Sequence, residues 1–304
     1  MSTTLIAVIF ALVLGHLAPG FAASVRRHDG FGLWLRWLDA RFGDGPSVWR
    51  GHYGFLFALL PPLLLVGLIQ FALHTPLAGV FGLVFAVAVL FYAWGPRDLD
   101  VDVSAVVDAG NPAARREAAA RLDAKPDSGL GEAAAMVEAV FANALRRWFG
   151  VLFWFLLFGA VGAVLYRLAA LLAEGEYADA LPASTREGAR RFFALLNWPV
   201  AQAMTLSLAL VGNFDSVLGV WRDAGGAEMQ LDHAHLGAAA RASVRCEIAE
   251  EVADFTDAGI PASTALVEAF GQLPELRDAM SLAWRVLVLW LAVLALVGVA
   301  GWAG

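Results

Sequence analysis

Three clusters of polar residues interrupt a chain that is otherwise apolar. The first is Arg97, Asp98, Asp100 and Asp102, directly after Pro96. Pro96 can open a helix, and carboxylates in its first turns suit the positive end of the helix dipole. On that helix Asp98 and Asp102 share a face and are spaced to hold Mg²⁺ through water. The same pattern also serves as a charged helix start at a membrane surface. The second cluster is Asn143, Arg146 and Arg147, within about one helical turn. An amide beside two guanidiniums suits a phosphate or a carboxylate. Arginines anchoring a helix at the cytoplasmic interface would look the same. The third is Asn197, Trp198, Pro199 and Gln202, in mid-run among apolar residues. It predicts a kinked or broken helix, either lining a cavity or satisfied by its neighbours. The ligand-binding candidates are therefore Arg97, Asp98, Asp102, Asn143, Arg146 and Asn197, with Asp98 and Asp102 as the metal candidates.

Other constellations are missing. There is no phosphate-binding Walker loop, no GxGxxG context and no GxSxG elbow. No spacing assigns a catalytic triad, so no catalytic residue is assigned. His233 and His235 are two residues apart and would point to different sides of a helix, unlike a metal-binding i, i+4 pair. His16, inside the first apolar run, is expected to face other helices.

The composition explains why so few polar groups carry so much of the reading. Of 304 residues, 60% are hydrophobic and 16% charged, against roughly 45–50% and 25% in soluble domains. Mean hydropathy is +0.66. These values exclude an ordinary cytosolic enzyme and a disordered chain. The net charge of −7 provides no basic field for nucleic acid, and none is expected as a partner. One cysteine, Cys246, excludes an internal disulfide and a cysteine-rich zinc site.

Six apolar runs are the elements that must position those clusters. They cover residues 3–23, 54–73, 76–94, 148–172, 192–213 and 282–302. Each is near the roughly 20 residues that a helix needs to cross a bilayer core. The fold class is all-α: a polytopic helical membrane protein of about six transmembrane helices with cytoplasmic and interfacial helices. The expected organisation is three membrane helices in 1–94, a cytoplasmic helical region in 95–147, two membrane segments in 148–213, a helical extramembrane region in 214–281 and a final span in 282–304. The segment 192–213 reads as a span, with re-entry as the alternative. Nothing basic precedes the first run, and it is longer than a signal core, so it is expected to stay as a membrane helix.

If all six runs cross, three loops carry sixteen basic residues on one side against three on the other. The richer side should be cytoplasmic, with a periplasmic N-terminus. In 31–42, Phe31, Trp34, Leu35, Leu38 and Phe42 fall on one face, which gives an interfacial amphipathic helix or a cap packed on the bundle. Arg167 and Arg285 lie near span ends, where long side chains can reach headgroups. Trp94, Trp148, Trp284 and Trp302 fit an aromatic belt. Asn111-Pro112 should start a cytoplasmic helix. Residues 132–148 should run as one helix into the fourth span, and 227–257 and 262–280 should be helical on either side of a break at Ala258-Gly259-Ile260-Pro261.

Two stretches then point to a family. FANALRR at 141–147, running into LFWFLLFGAVGAVLYRL at 152–168, resembles the fourth-span region of the CobD/CbiB superfamily. Arg190-Arg191 with LLNWPVAQAMTLSLALVG at 195–212 resembles its Leu-Asn-x-x-Pro segment. With the Trp-rich loop and GPRDLDVDV at 95–103, the order of segments is most similar to the AmpE-like branch. That resemblance implies an inner-membrane regulatory protein, without catalysis, tied to cell-wall stress and β-lactamase induction. It would meet the lipid bilayer and a protein partner on its cytoplasmic face, with no cofactor. The alternative implied by the superfamily is a membrane-bound synthetase. It joins an amino alcohol phosphate, or a related amine, to a corrinoid carboxylate with Mg-nucleotide. The cobalamin enzymes carry acids where this chain has Ala142 and Arg146, and their Asn-Thr-Leu-Asp stretch is Ala169-Ala170-Leu171-Leu172 here. Their later proline-asparagine-glycine-tryptophan segment has no counterpart. These departures tilt the sequence reading toward the regulatory role.

Overall fold

The structure is a computed structural model, and it describes residues 2–17, 25, 26, 28–43, 48–73, 79–95, 98–123, 132–228, 231–257 and 273–303. Among the described residues the chain is helical, with no strand. In order, α1 is Ser2–Leu17, α2 Asp29–Phe42, α3 Phe55–Ala72, α4 Gly79–Ala93, α5 Leu99–Val107, α6 Pro112–Arg121 and α7 Glu132–Ala144. A π-helical turn, Leu145–Phe149, links α7 to α8, Gly150–Phe158. Then come α9 Ala160–Ala173, α10 Glu176–Asp179, α11 Ala183–Val211, α12 Phe214–Asp223, α13 Ala234–Asp257 and α14 Pro274–Ala303.

Among the described residues four helices are long and apolar enough to cross a membrane: Phe55–Ala72, Glu132–Phe158, Ala183–Val211 and Pro274–Gly298. Thr4–Gly15, Gly79–Ala93 and Ala160–Ala173 are shorter apolar helices. Along α3, Leu60, Leu64, Leu68 and Phe71 are exposed, Phe71 at 80%. Large apolar side chains on an open face at helical spacing are the mark of a helix that lipid surrounds.

Contacts divide the chain into two units. The first holds residues 1–96, 146–197 and 294–304; the second holds 97–145 and 198–293. In the first, α1 packs on α4, and α9 packs on α3, α4 and α8. Phe31, Leu35 and Leu38 of α2 bury against Trp49, Phe55 and Leu59. The Trp34 indole donates to the Ala58 carbonyl at 3.2 Å. Residues 29–42 thus cap their own bundle with one face, while Trp37 and Phe42 stay exposed. In the second unit, α13 packs on α7 and α12, and α5 packs on α6 and α7. The Asn111 side chain accepts from the Ala114 N–H at 2.8 Å with Pro112 at the first turn, so α6 begins where its cap predicts.

Several expectations are corrected. The apolar run 148–172 is not one span. It breaks at Gly159, whose φ of +65° and ψ of −145° suit glycine alone. The chain then turns back, so that Gly162 lies against the Trp154 carbonyl and Gly150 against the Tyr166 ring. On α3, Gln70 holds the turn: its Oε1 accepts from Val161 N–H at 3.1 Å, and its Nε2 donates to the Phe158 carbonyl at 3.2 Å. The helix that enters this region is long, as expected, and runs 132–158. Conversely, Pro199 does not break α11, which is helical throughout Ala183–Val211. Trp94 and Trp148 are buried rather than set at an interface, and so is Arg167. Arg285 pairs with Glu247 at 2.8 Å instead of reaching for headgroups. The break predicted at 258–261 lies outside the described residues.

Candidate functional site

The first unit gathers its polar side chains around the C-terminus of α4. Helices end with carbonyls that lack partners and a partial negative charge. Here two arginines serve them. Arg26 donates from Nε to Phe91 O and from Nη1 to Gly95 O, both at 3.1 Å. Its guanidinium also stands 4.8 Å from the Phe91 ring centroid. Arg167, from α9, donates to Ala93 O at 2.6 Å. The His28 ring lies 4.6 Å from that of Tyr92. Burial, and then the charge of Arg167, lower the His28 pKa to about 4, so its imidazole is neutral near pH 7. Gly95 N–H donates to Arg147 O in the π turn at 3.3 Å, an approach that a side chain at position 95 would block.

A second polar contact lies between α9 and α11. Tyr166 is fully buried and its hydroxyl donates to Asn197 Oδ1 at 2.6 Å. Pro199 has no N–H for the Leu195 carbonyl one turn earlier. One residue on, the Leu196 carbonyl receives the Trp154 indole at 3.1 Å. Arg146 sits in the π turn, pairs with Glu174 at 3.1 Å and lies within electrostatic reach of Tyr166. Of the sequence candidates, Arg146 and Asn197 therefore share one neighbourhood. Helical bulges of this kind often accompany function.

The remaining candidates belong to the second unit, apart from Arg97, which lies outside the described residues. Asp98 caps α5 with extended backbone, and Asp102 N–H donates to Asp98 O at 3.4 Å. The two aspartates are thus one turn apart, Asp98 half-buried and Asp102 buried. Asn143 is buried, and its amide donates to Leu122 O and Ala139 O at 2.8 Å each. The bond to Leu122 ties α7 to the end of α6. Arg241 of α13 pairs with Glu138 of α7. Among the described residues no group of three or more His, Cys, Asp or Glu gathers to hold a metal. Two carboxylates one turn apart do fit the way Mg²⁺ is held together with substrate phosphates.

Sequence reasoning missed Arg26, His28, Tyr166 and Arg167. The loop charge counts Arg26 alone, and nothing local marks His28 or Tyr166. Arg167 was given to the headgroups. An arginine well inside an apolar run was itself the signal, since such residues face the protein and find partners there.

The family profile described as CobD/Cbib protein matches residues 4–244. Over 229 residues, 71% of this chain and 73% of the relative, the chain is 32% identical to the "Cobalamin biosynthesis protein CobD" of Stutzerimonas stutzeri. Over 147 residues it is 33% identical to the protein of that name from Chromobacterium violaceum, covering 46% of this chain and 47% of the relative. No solved structure matches the chain. These relatives overturn the regulatory reading drawn from an AmpE-like branch: their names point to cobalamin biosynthesis, the reading kept as the alternative. With a profile covering most of its length and a relative aligned over nearly three quarters of both chains, the protein belongs to the CobD/CbiB family.

Proposed function

We propose that this protein acts in cobalamin biosynthesis as a membrane-bound synthetase that forms an amide between a corrinoid carboxylate and an amino alcohol or its phosphate. The observation that supports it most is the 32% identity to a cobalamin biosynthesis protein across 73% of that protein's length. Amide formation from a free carboxylate needs the carboxylate activated, which fits a nucleotide as co-substrate. Mg²⁺, when bound, would offset the charge of the nucleotide phosphates. Asp98 and Asp102 are the residues to hold it, at the start of α5. Arg146 stands where the related synthetases carry an acid, so here it would attract a substrate anion rather than hold metal. The excess of arginine in the larger loops supports a cytoplasmic face for this chemistry, in a bacterial-type inner membrane.

The test is complementation. A bacterium lacking its own CobD should regain cobalamin-dependent growth with the wild-type chain and lose it with Asp98→Ala and Asp102→Ala. Membrane levels are measured by immunoblot. Failure of the wild-type chain to complement while it accumulates in the membrane would contradict the reading.

A further inference from the structure

A cavity of about 480 Å³ lies between α1 and α4, within the first unit. That is the size of a small-molecule site. Phe10 and Leu14 of α1, Val25, and Leu83, Val87 and Phe91 of α4 line it, and its other lining side chains are apolar too. The sequence makes the space. Leu83, Val87 and Phe91 follow helical spacing down one face of α4, and Ala88 beside them ends at a methyl group. The lining grades from open to closed: Phe10 is 61% and Val84 60% exposed, whereas Phe91 is 4% exposed. Water is a poor occupant, because it needs several polar partners and none of these side chains offers one. Left empty, the lining forfeits the contacts that atoms on its open side would supply. Next to the mouth, Ile9 and Val13 of α1 and Val80 and Phe81 of α4 are exposed as well. The cavity is therefore continuous with an apolar surface like that of α3, which suits lipid.

We propose that this cavity holds one acyl chain of a membrane phospholipid. The mouth opens where hydrocarbon is the solvent, so a chain enters without shedding water. Its methylenes then supply the contacts that the lining lacks. No charged or polar side chain lines the cavity, so the site selects for the chain and not for the headgroup. A chain seated there fills the gap between two helices that pack on each other, α1 and α4. Lipid along the open face of α3 gains no such enclosure and exchanges freely. The rival occupant is a second copy of this protein laid across the same groove, which would bury Phe10 and Val84 in a dimer. The inference does not rest on the corrinoid reading, and failed complementation would leave it standing.

The experiment is native mass spectrometry of the full chain, delipidated in a neutral detergent. It is titrated with dipalmitoyl phosphatidylcholine, dipalmitoyl phosphatidylglycerol or dihexanoyl phosphatidylcholine. One long-chain lipid should stay on each monomer, with the two headgroups bound alike and the hexanoyl chains about tenfold weaker or more. Ala88→Phe and Val87→Phe each place a ring in the cavity and should weaken retention by about tenfold. Leu64→Phe, on the exposed face of α3, should leave it unchanged. The proposal is overturned if no lipid stays on the monomer, if both filled variants retain it like the wild type, or if retention follows the headgroup rather than the chain. A dimer that carries no lipid and falls apart in Ala88→Phe would assign the groove to a second copy and overturn it as well. Ala88 is exposed, so Ala88→Phe keeps the test decisive even if Val87→Phe does not fold.

Discussion

The two units differ in where their least exposed arginines find partners. In the second unit cations meet anions: Arg241 pairs with Glu138 and Arg285 with Glu247. Its buried amide, Asn143, gives its nitrogen to two backbone carbonyls. In the first unit Arg26 and Arg167 are spent on backbone carbonyls at one helix end, and a neutral histidine sits beside them. Ion pairs hold neighbouring helices in register at little net gain. Cations placed on the carbonyls of a helix end are offset by its partial negative charge instead.

Each side of that contrast can be broken in turn. The largest effect should come from the helical hairpin that carries Arg167 to α4. Gly162→Ala drives a methyl group into the Trp154 carbonyl, so about 3 kcal/mol of stability should be lost, read as a fall in Tm in detergent. Tyr166→Phe comes next: it leaves Asn197 Oδ1 buried without its donor and should cost ~1–3 kcal/mol. His28 sharpens the contrast through pH. Its folded pKa of about 4 lies below its ordinary value of 6.5, so the unfolded chain takes up the proton first as pH falls. The stability it contributes is complete above pH 6.5, is lost as pH falls from there through about 4, and changes no further below. Stability measured from pH 7.5 to 3.5 should show that loss in the wild type but not in His28→Gln. In the second unit, Arg241→Ala should cost about 1 kcal/mol, because that pair is only partly buried. The exposed Arg191–Glu187 pair should be worth ~0.3–0.5 kcal/mol in a double-mutant cycle.

Much of this fold follows from local signals. Asn111-Pro112 marked the start of α6 because cap and first-turn preferences act within four residues. The face shared by Phe31, Leu35 and Leu38 gave the packed side of α2. The reversal at Gly159 was hidden for a physical reason. Both arms of the hairpin are predominantly apolar, so a change of direction leaves no break in the hydrophobic run. Pro199 points the other way: a proline signals a break locally, yet α11 is helical throughout Ala183–Val211. The candidate site was half legible. Asn197 was chosen for its polarity in an apolar run, but its partner Tyr166 comes from another helix. Arg26 was counted for its charge, although its role depends on where α4 ends.

The account stands or falls on amide formation. Purified protein in nanodiscs should be incubated with a corrinoid carboxylic acid, an amino alcohol or its phosphate, and Mg-ATP, and the products weighed by mass spectrometry. The account predicts a product at the summed mass of acid and amine less one water, formed only with nucleotide and lost in Asp98→Ala. If folded protein forms no amide where a cobalamin biosynthesis CobD forms it under the same conditions, the central claim is contradicted.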